Sequence, residues 1–284
     1  MPGFSARGRA DDPVRQRDRL RYRLLGPLVA LRGDHDVSPR QPRDRTLLTL
    51  LLLHRGATVS LDALVDCVWG ERPPASARHS IQTMVWRLRA VLGTEEIDTS
   101  GPGYSMPDPI VDIDEVEALV AEARARAEQD PQLAVSLFGS ALAMWRGEPL
   151  LDAAYADWAQ PEAHRLGELR SAVAFERLSG LVGLECYDEA VPELEAFVTA
   201  NPYQERAWAL LIVALCRMGR AADALRSYRR VERLLVEDLG VSPSQELRQL
   251  EYLVLADDPE LQGSWTKDFM HRGPVPWQRR RHAS

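Results

Sequence analysis

The sequence predicts two domains, a small α+β domain at residues 20–108 and an all-α domain at residues 109–257. Three observations predict this division: short strand-like segments and three amphipathic helices come first, helical periodicity then continues almost to the end, and part of the helical region repeats. Residues 1–19 are polar and lack apolar periodicity, and residues 258–284 form a basic tail. We expect both ends to be disordered or flexible.

The first domain begins with short strand-like segments and two helices. Tyr22–Gly26, Pro27–Gly33 and Asp36–Ser38 are bounded by turn residues, as strands commonly are. An apolar run predicts a helix over Arg43–His54. Ser60 is suited to cap a second helix, which Gly70 would end.

The third helix, from Ala75 to Leu92, has two different faces. One side carries four apolar residues at spacings of 4, 3 and 4, and the far side carries polar residues and a tryptophan. The apolar side consists of Ile81, Val85, Leu88 and Leu92, and the far side of His79, Thr83, Trp86 and Arg87. Ser76 is suited to accept a first-turn N–H, and Gly93 suits a left-handed residue that ends the helix.

A hairpin closed on Gly101–Gly103 follows this helix directly. Strands, three helices and a final hairpin make a winged helix, in which the third helix enters the major groove of DNA. An amphipathic helix with arginines on its polar side is usually only a solvated helix. Trp86 on that side indicates that this face binds a partner, because large exposed aromatic residues are rare without one.

The charge distribution restricts where nucleic acid would bind. The chain has a net charge of −7, yet residues 1–108 carry 16 arginines and 13 acidic residues, a net charge of +3. The remainder carries −10. Because phosphate contacts supply most non-specific affinity, a face that binds a duplex must lie in the N-terminal third.

The second domain contains an internal repeat. Ala190 and Ala224 lie 34 residues apart, as do Leu181 and Leu215. Helix–turn–helix units with this period and small residues at the close approach are typical of tetratricopeptide repeats. Such a stack offers a concave face to a protein partner, although a plain all-α domain that packs on the first domain is the simpler alternative.

Several function classes lack support in the sequence. There is no signal peptide, no long apolar segment, no glycine-rich phosphate loop and no nucleophile motif, so we expect a cytoplasmic, nucleoid-associated protein that is not an enzyme. The three cysteines lie far apart in apolar helical patterns and are expected to be buried thiols. No metal-ligand spacing occurs, and no cofactor is expected.

Several motifs together resemble the Streptomyces antibiotic regulatory proteins. In the first domain they are Leu25-GPL, Pro42-RDRTLLTLLLLH, Val68-WGERPPASARHSIQTMVWRLRAVLG and Gly101-PGY. In the second they are Gly147-EPL, Pro202-YQERAW and Asp238-LGVSPSQELRQLE. The resemblance covers residues 20–260 and implies an OmpR/PhoB-like winged helix followed by a tetratricopeptide-like bacterial transcriptional activator domain.

The resemblance also implies a function and its partners. Family members activate antibiotic and other secondary-metabolite clusters by binding direct repeats near the −35 element as a homodimer. They recruit RNA polymerase through its sigma factor and the C-terminal domain of its α-subunit, and no membrane partner is expected.

Roles for individual residues follow from the same resemblance. The implied base-facing residues are His79, Thr83, Trp86 and Arg87, and Arg87 is best suited to guanine. The implied contacts to the DNA backbone are Arg78 and Arg89 on the helix and Thr99 and Ser100 on the wing. The loop that carries Glu71 and Arg72 is implied to face polymerase.

Some positions depart from the family pattern. Trp86 replaces a small polar or basic residue, Ala90 stands where arginine is frequent, and Ser100 and Ser105 leave the wing without arginine. Either the DNA sequence that this protein binds differs from that of its relatives, or its affinity for DNA depends on the dimer and on contacts with polymerase. Trp86 would contact a thymine methyl group or a sugar, or else support a domain interface. The alternative function is a tetratricopeptide-type adaptor, or a repressor, with a degenerate winged helix.

Overall fold

A computed structural model describes residues 19–70, 72–258 and 261 of the chain. These residues form two compact units. The first contains the residues up to Ala121 together with Ser140–Arg170, and the second contains Glu122–Gly139 and the residues from Ser171 onward. The predicted boundary after Asp108 therefore falls inside the first unit.

The predicted terminal segments lie almost wholly outside the described residues. In the N-terminal segment, residues 1–19, only Arg19 is described, and it forms an ion pair with Asp108 at 2.6 Å. In the C-terminal segment, residues 258–284, only Asp258 and Leu261 are described. Leu261 is buried in the hydrophobic core of the second unit, which the predicted flexible tail did not anticipate.

The first unit begins with a four-stranded sheet. Its strands are β1 (Leu20–Arg23), β2 (Val29–Arg32), β3 (His35–Asp36) and β7 (Ile110–Val111), in the order β3-β2-β1-β7. β1 pairs in parallel with β7 and antiparallel with β2. Burial alternates along β1, because successive side chains point to opposite faces of a sheet.

Three helices follow, as predicted: α1 (Pro42–Leu53), α2 (Leu61–Trp69) and α3 (Ala77–Leu92). The Ser60 hydroxyl accepts the Ala63 N–H at 3.2 Å, so the predicted cap of α2 is confirmed. Ser76 occupies the cap position of α3, but its side chain makes no capping bond. Its φ of −89° and ψ of 8° lie outside the extended region from which a side chain reaches the first turn, so the predicted bond was wrong.

Gly93 ends α3 with a φ of 108° and a ψ of 146°. The positive φ requires glycine, but these angles are not those of the left-handed helical residue that was predicted. The chain then enters the second sheet, in which β4 (Val59–Ser60), β6 (Gly103–Ser105) and β5 (Asp98–Ser100) pair antiparallel in that order. The β5–β6 hairpin is the wing.

A segment from the second half of the sequence belongs to the first unit. Residues 146–159, which we call the strap, contain two short 3₁₀ turns and lie against the residues that follow β1. The Arg146 N–H donates to the Leu25 carbonyl at 2.7 Å, and the Leu150 N–H donates to the Leu24 carbonyl at 2.8 Å. Gly26 permits this close approach, because a Cβ there would lie 3.1 Å from the Arg146 Cβ.

Asp152 fixes the middle of the strap. Its carboxylate accepts the Leu28 N–H at 2.6 Å and receives Arg45 of α1 through two bonds of 2.5 and 2.9 Å. At the end of the strap, the Trp158 indole N–H donates to the Cys67 carbonyl at 3.1 Å. The strap thereby connects the first sheet with α1 and α2.

The helices after β7 are α4 (Asp112–Arg126), α5 (Pro131–Leu142), α6 (Gln160–Gly183), α7 (Tyr187–Ala200), α8 (Glu205–Arg217), α9 (Ala221–Leu239) and α10 (Gln245–Leu255). In the second unit, α8 is the central helix, since every residue from Ala207 to Leu215 is buried. Ala190 and Ala224 are both fully buried, as the predicted 34-residue repeat requires.

The cysteines are free thiols, but their burial differs from the prediction. Cys67 and Cys216 are half-buried, whereas Cys186 is exposed because it lies at the turn before α7 rather than inside a helix. Among the described helices, none has the length and apolar character needed to cross a membrane.

Candidate nucleic-acid interface

Helix α3 buries one face in the first unit and leaves the opposite face in solvent. Ile81, Leu88 and Leu92 are fully buried. On the other side, His79 and Gln82 are exposed, and Trp86 is 70% exposed. Because successive residues turn by about 100°, the side chains at 79, 82 and 86 follow one stripe along the helix.

Trp86 lies near the centre of this outward face. Its ring is not part of the core of the unit that carries it, and one turn away the Thr83 hydroxyl donates to the His79 carbonyl at 3.0 Å. Thr83 is half-buried, and its hydroxyl proton is already used in this hydrogen bond. Its hydroxyl oxygen can therefore only accept a hydrogen bond from a partner. His79 and Trp86 are therefore the more accessible members of the predicted base-facing set.

Arg87, the residue that was predicted to contact guanine, is bound to Asp44 of α1. Its Nε and Nη2 donate to the two carboxylate oxygens at 2.8 and 2.5 Å. The Asp44 side chain is only 4% exposed, and the hydrogen bond to it raises the pKa of the Arg87 guanidinium. This bidentate pair ties one edge of α3 to α1, a link that no pattern in the sequence had indicated.

We expect Arg87→Ala to lower the free energy of unfolding by about 2 kcal/mol, because the Asp44 carboxylate would stay buried without its partner. Chemical denaturation of the full chain measures this loss. Arg78→Ala is the matched control: Arg78 pairs with Asp62 where both side chains are about two-thirds exposed, so its loss changes stability by less than about 0.5 kcal/mol. Equal unfolding curves for the two variants would show that the Asp44 pair does not hold the helix.

Arg89 lies on the other edge of α3, at the base of the wing. Its Nε and Nη2 donate to the Ile97 carbonyl at 2.9 and 2.6 Å, and Nη2 also donates to the Thr99 hydroxyl at 2.9 Å. The guanidinium lies 5.8 Å from the centre of the Tyr104 ring. Arg89 thus fixes the wing beside the outward face of α3, while Ser100 at the wing tip is exposed.

A cleft with a volume of about 540 Å³ opens between the start of α1 and α3. Its walls are formed by Gln41, Pro42, Arg43, Trp69, His79, Ser80, Thr83, Met84 and Arg87. Arg43 is exposed and stacks 5.8 Å from the centre of the Trp69 ring. Arg72 is exposed in the loop before α3, and its predicted companion Glu71 lies outside the described residues.

Two family models match the chain along its length. The model of the C-terminal part of transcriptional regulatory proteins matches residues 37–106, and that of the bacterial transcriptional activator domain matches residues 111–255. The regulatory protein DnrI of Streptomyces peucetius is 33% identical over 254 residues, which cover 84% of this chain and 93% of DnrI.

The chain belongs to the Streptomyces antibiotic regulatory protein family. Another relative in this family, the regulatory protein AfsR of Streptomyces griseus, is 40% identical over 247 residues, or 86% of this chain. Those residues are only 25% of AfsR, so the chain spans about a quarter of that relative's length.

A solved structure supports the fold of this family member. The structure of Mycobacterium tuberculosis EmbR in complex with a low-affinity phosphopeptide matches with a TM-score of 0.79 and 31% sequence identity. The match covers 89% of this chain and 69% of EmbR. The predicted fold, a winged helix followed by a helical tetratricopeptide-like part, is confirmed.

Proposed function

We propose that the chain is a sequence-specific DNA-binding activator of transcription that acts on a secondary-metabolite gene cluster. The proposal rests on the exposure of the outward face of α3. A winged helix leaves this face to solvent, and here it presents His79 and the 70% exposed Trp86 beside the wing. Membership in a family of transcriptional regulators supports the same function.

The dimensions of the unit suit a duplex. The 16 residues of α3 span about 24 Å, which exceeds the width of a major groove of about 12 Å. In the proposed complex, His79, Thr83 and Trp86 face the bases, and Thr99 and Ser100 bring the wing to the backbone. Arg78 exchanges Asp62 for a phosphate at little cost, because its ion pair is exposed.

Arg87 is assigned to positioning α3 in this proposal rather than to contacting a base, since its Nε and Nη2 already donate to the buried Asp44 carboxylate. Arg89 acts through the wing that it holds. Backbone affinity then rests on exposed cations such as Arg43 and Arg78. Affinity of a single copy is modest for this reason, and two copies on direct repeats would supply the remainder.

Activation requires contacts with protein as well as with DNA. The exposed loop at residues 72–76 lies before α3, where it would face the sigma factor of RNA polymerase. The acidic remainder of the chain, residues 109–284, has a net charge of −10 and is repelled by DNA. It therefore suits contacts with a second copy or with the C-terminal domain of the polymerase α-subunit. The protein would thus act at the nucleoid, within the cytoplasm.

In vitro transcription with purified RNA polymerase holoenzyme and DNA from upstream of neighbouring genes tests the proposal. An activator raises the transcript yield, and Arg72→Ala is expected to lower that yield while DNA binding in a gel shift stays unchanged. A lower yield with bound protein would identify a repressor. Absence of any DNA binding would identify an adaptor, a function that the engagement of Arg87 and Arg89 within the protein favours.

A further inference from the structure

We propose that Gln82 is a specificity-determining residue of this interface and contacts an adenine in the major groove. The proposal rests on the DNA-binding function above and assigns a base contact within it. The predicted base-facing residues did not include Gln82, although it lies only three residues after His79 on the same helix.

The position of Gln82 suits a base contact. It is exposed, and along α3 it lies on the same stripe as His79 and Trp86, between the buried residues Ile81 and Met84 that fix the helix. At about 100° per residue, Gln82 is about 40° from Trp86 around the helix axis. A duplex that contacts Trp86 therefore also lies within reach of the Gln82 carboxamide.

The chemistry of the surrounding side chains leaves Gln82 available. Within the described residues its carboxamide makes no hydrogen bond, whereas the Thr83 hydroxyl donates to a carbonyl and the Arg87 guanidinium is bound to Asp44. On the outward face of α3, the Gln82 carboxamide presents a donor and an acceptor side by side, whereas the two ring nitrogens of His79 point in different directions. That pair matches N7 and the N6 amino group of adenine, which a glutamine contacts through two hydrogen bonds.

Trp86 next to Gln82 favours the same base pair. Its ring is apolar and suits the methyl group of a thymine, and A·T pairs are the pairs that display this group in the major groove. Gln82 and Trp86 together are thus complementary to A·T pairs at neighbouring positions. The stripe at positions 79, 82 and 86 contains no arginine, and the Nε and Nη2 of the neighbouring Arg87 already donate to Asp44.

The test begins with selection of preferred sites from a random DNA library by the full-length protein. Gln82→Ala is then selected in the same way and is expected to lose preference at one A·T position, with about a tenfold loss of affinity for the preferred site. Replacing the adenine at that position by 7-deazaadenine removes its N7 acceptor. This should weaken the wild type severalfold and leave the variant unaffected.

Gln132→Ala is the matched control, since Gln132 is an exposed glutamine in the first turn of α5 and should leave both selections unchanged. Equal thermal unfolding of Gln82→Ala and wild type verifies that the exposed substitution has not altered the fold. An unchanged base preference in Gln82→Ala overturns the proposal for Gln82. An equal loss of affinity for all DNA sequences overturns it as well. In both cases the proposed DNA-binding function stands. If the wild type selects no sequence at all, the proposed function itself fails.

Discussion

Asp152→Ala is expected to lower the free energy of unfolding by about 3 kcal/mol, although Asp152 lies far from the winged helix in sequence. Its side chain is 20% exposed, and that of Arg45 is 19% exposed. Removal of the carboxylate leaves the Arg45 guanidinium and the Leu28 N–H without the acceptor that holds them. Urea denaturation of the full chain, followed through the first unit's tryptophans, measures the loss.

Two further measurements make this prediction specific. Asp157→Ala, at an exposed position on the same strap, should change stability by less than about 0.5 kcal/mol. Burial acts to raise the pKa of Asp152, but the bonds from Arg45 and Leu28 outweigh it and hold the pKa below its usual value. The contribution of Asp152 is therefore present at neutral pH and is lost as the pH falls through the folded-state pKa. The wild type and Asp152→Ala should converge in stability well below about pH 4, and a constant difference would contradict the assigned ion pair.

Gly103→Ala is expected to displace the wing and to lower stability by about 3 kcal/mol. A Cβ at this position would lie 2.0 Å from the Val59 carbonyl oxygen and 2.8 Å from the Ser60 Cα. Both atoms belong to backbone, so β4 and β6 must separate to accommodate the methyl group. Denaturation measures the stability, and hydrogen exchange of the β4–β6 amides should accelerate.

Gly101→Ala separates this clash from the general effect of a glycine substitution. Gly101 has a φ of 52° at the tip of the wing, and no atom of the described residues lies within 4 Å of its added Cβ. The substitution introduces only backbone strain of about 1 kcal/mol. Similar losses in the two variants would show that β6 does not approach β4 as closely as the structure has it.

Local patterns in the sequence predicted the elements of the first unit well. The spacing of Ile81, Leu88 and Leu92 identified the buried face of α3. A helix that packs one side against a core repeats its apolar residues about every 3.6 residues. Val59 and Ser60 showed no comparable strand pattern, since β4 is two residues long. Such a strand owes its formation to pairing with β6 rather than to its own composition.

Contacts between distant residues could not be predicted in the same way. Asp44 and Arg87 are 43 residues apart, and no periodicity links an acidic residue of one helix with a basic residue of another. The strap is irregular apart from two 3₁₀ turns, so its docking on β1 and α1 has no signal in hydrophobic spacing. The motifs Leu25-GPL and Gly147-EPL supported the family resemblance, and the structure places their backbones side by side: the Arg146 N–H donates to the Leu25 carbonyl, and the Leu150 N–H donates to the Leu24 carbonyl.

Trp86→Ala tests whether the outward face of α3 binds DNA. Removal of a 70% exposed ring should leave the free energy of unfolding within about 0.5 kcal/mol of wild type. Affinity for the selected DNA site should fall by about thirtyfold, as the loss of a central aromatic contact does. Tyr155→Ala removes an even more exposed aromatic ring, from the strap, and should bind DNA like the wild type. If Trp86→Ala binds its site as tightly as Tyr155→Ala, the outward face of α3 is not the DNA-binding surface.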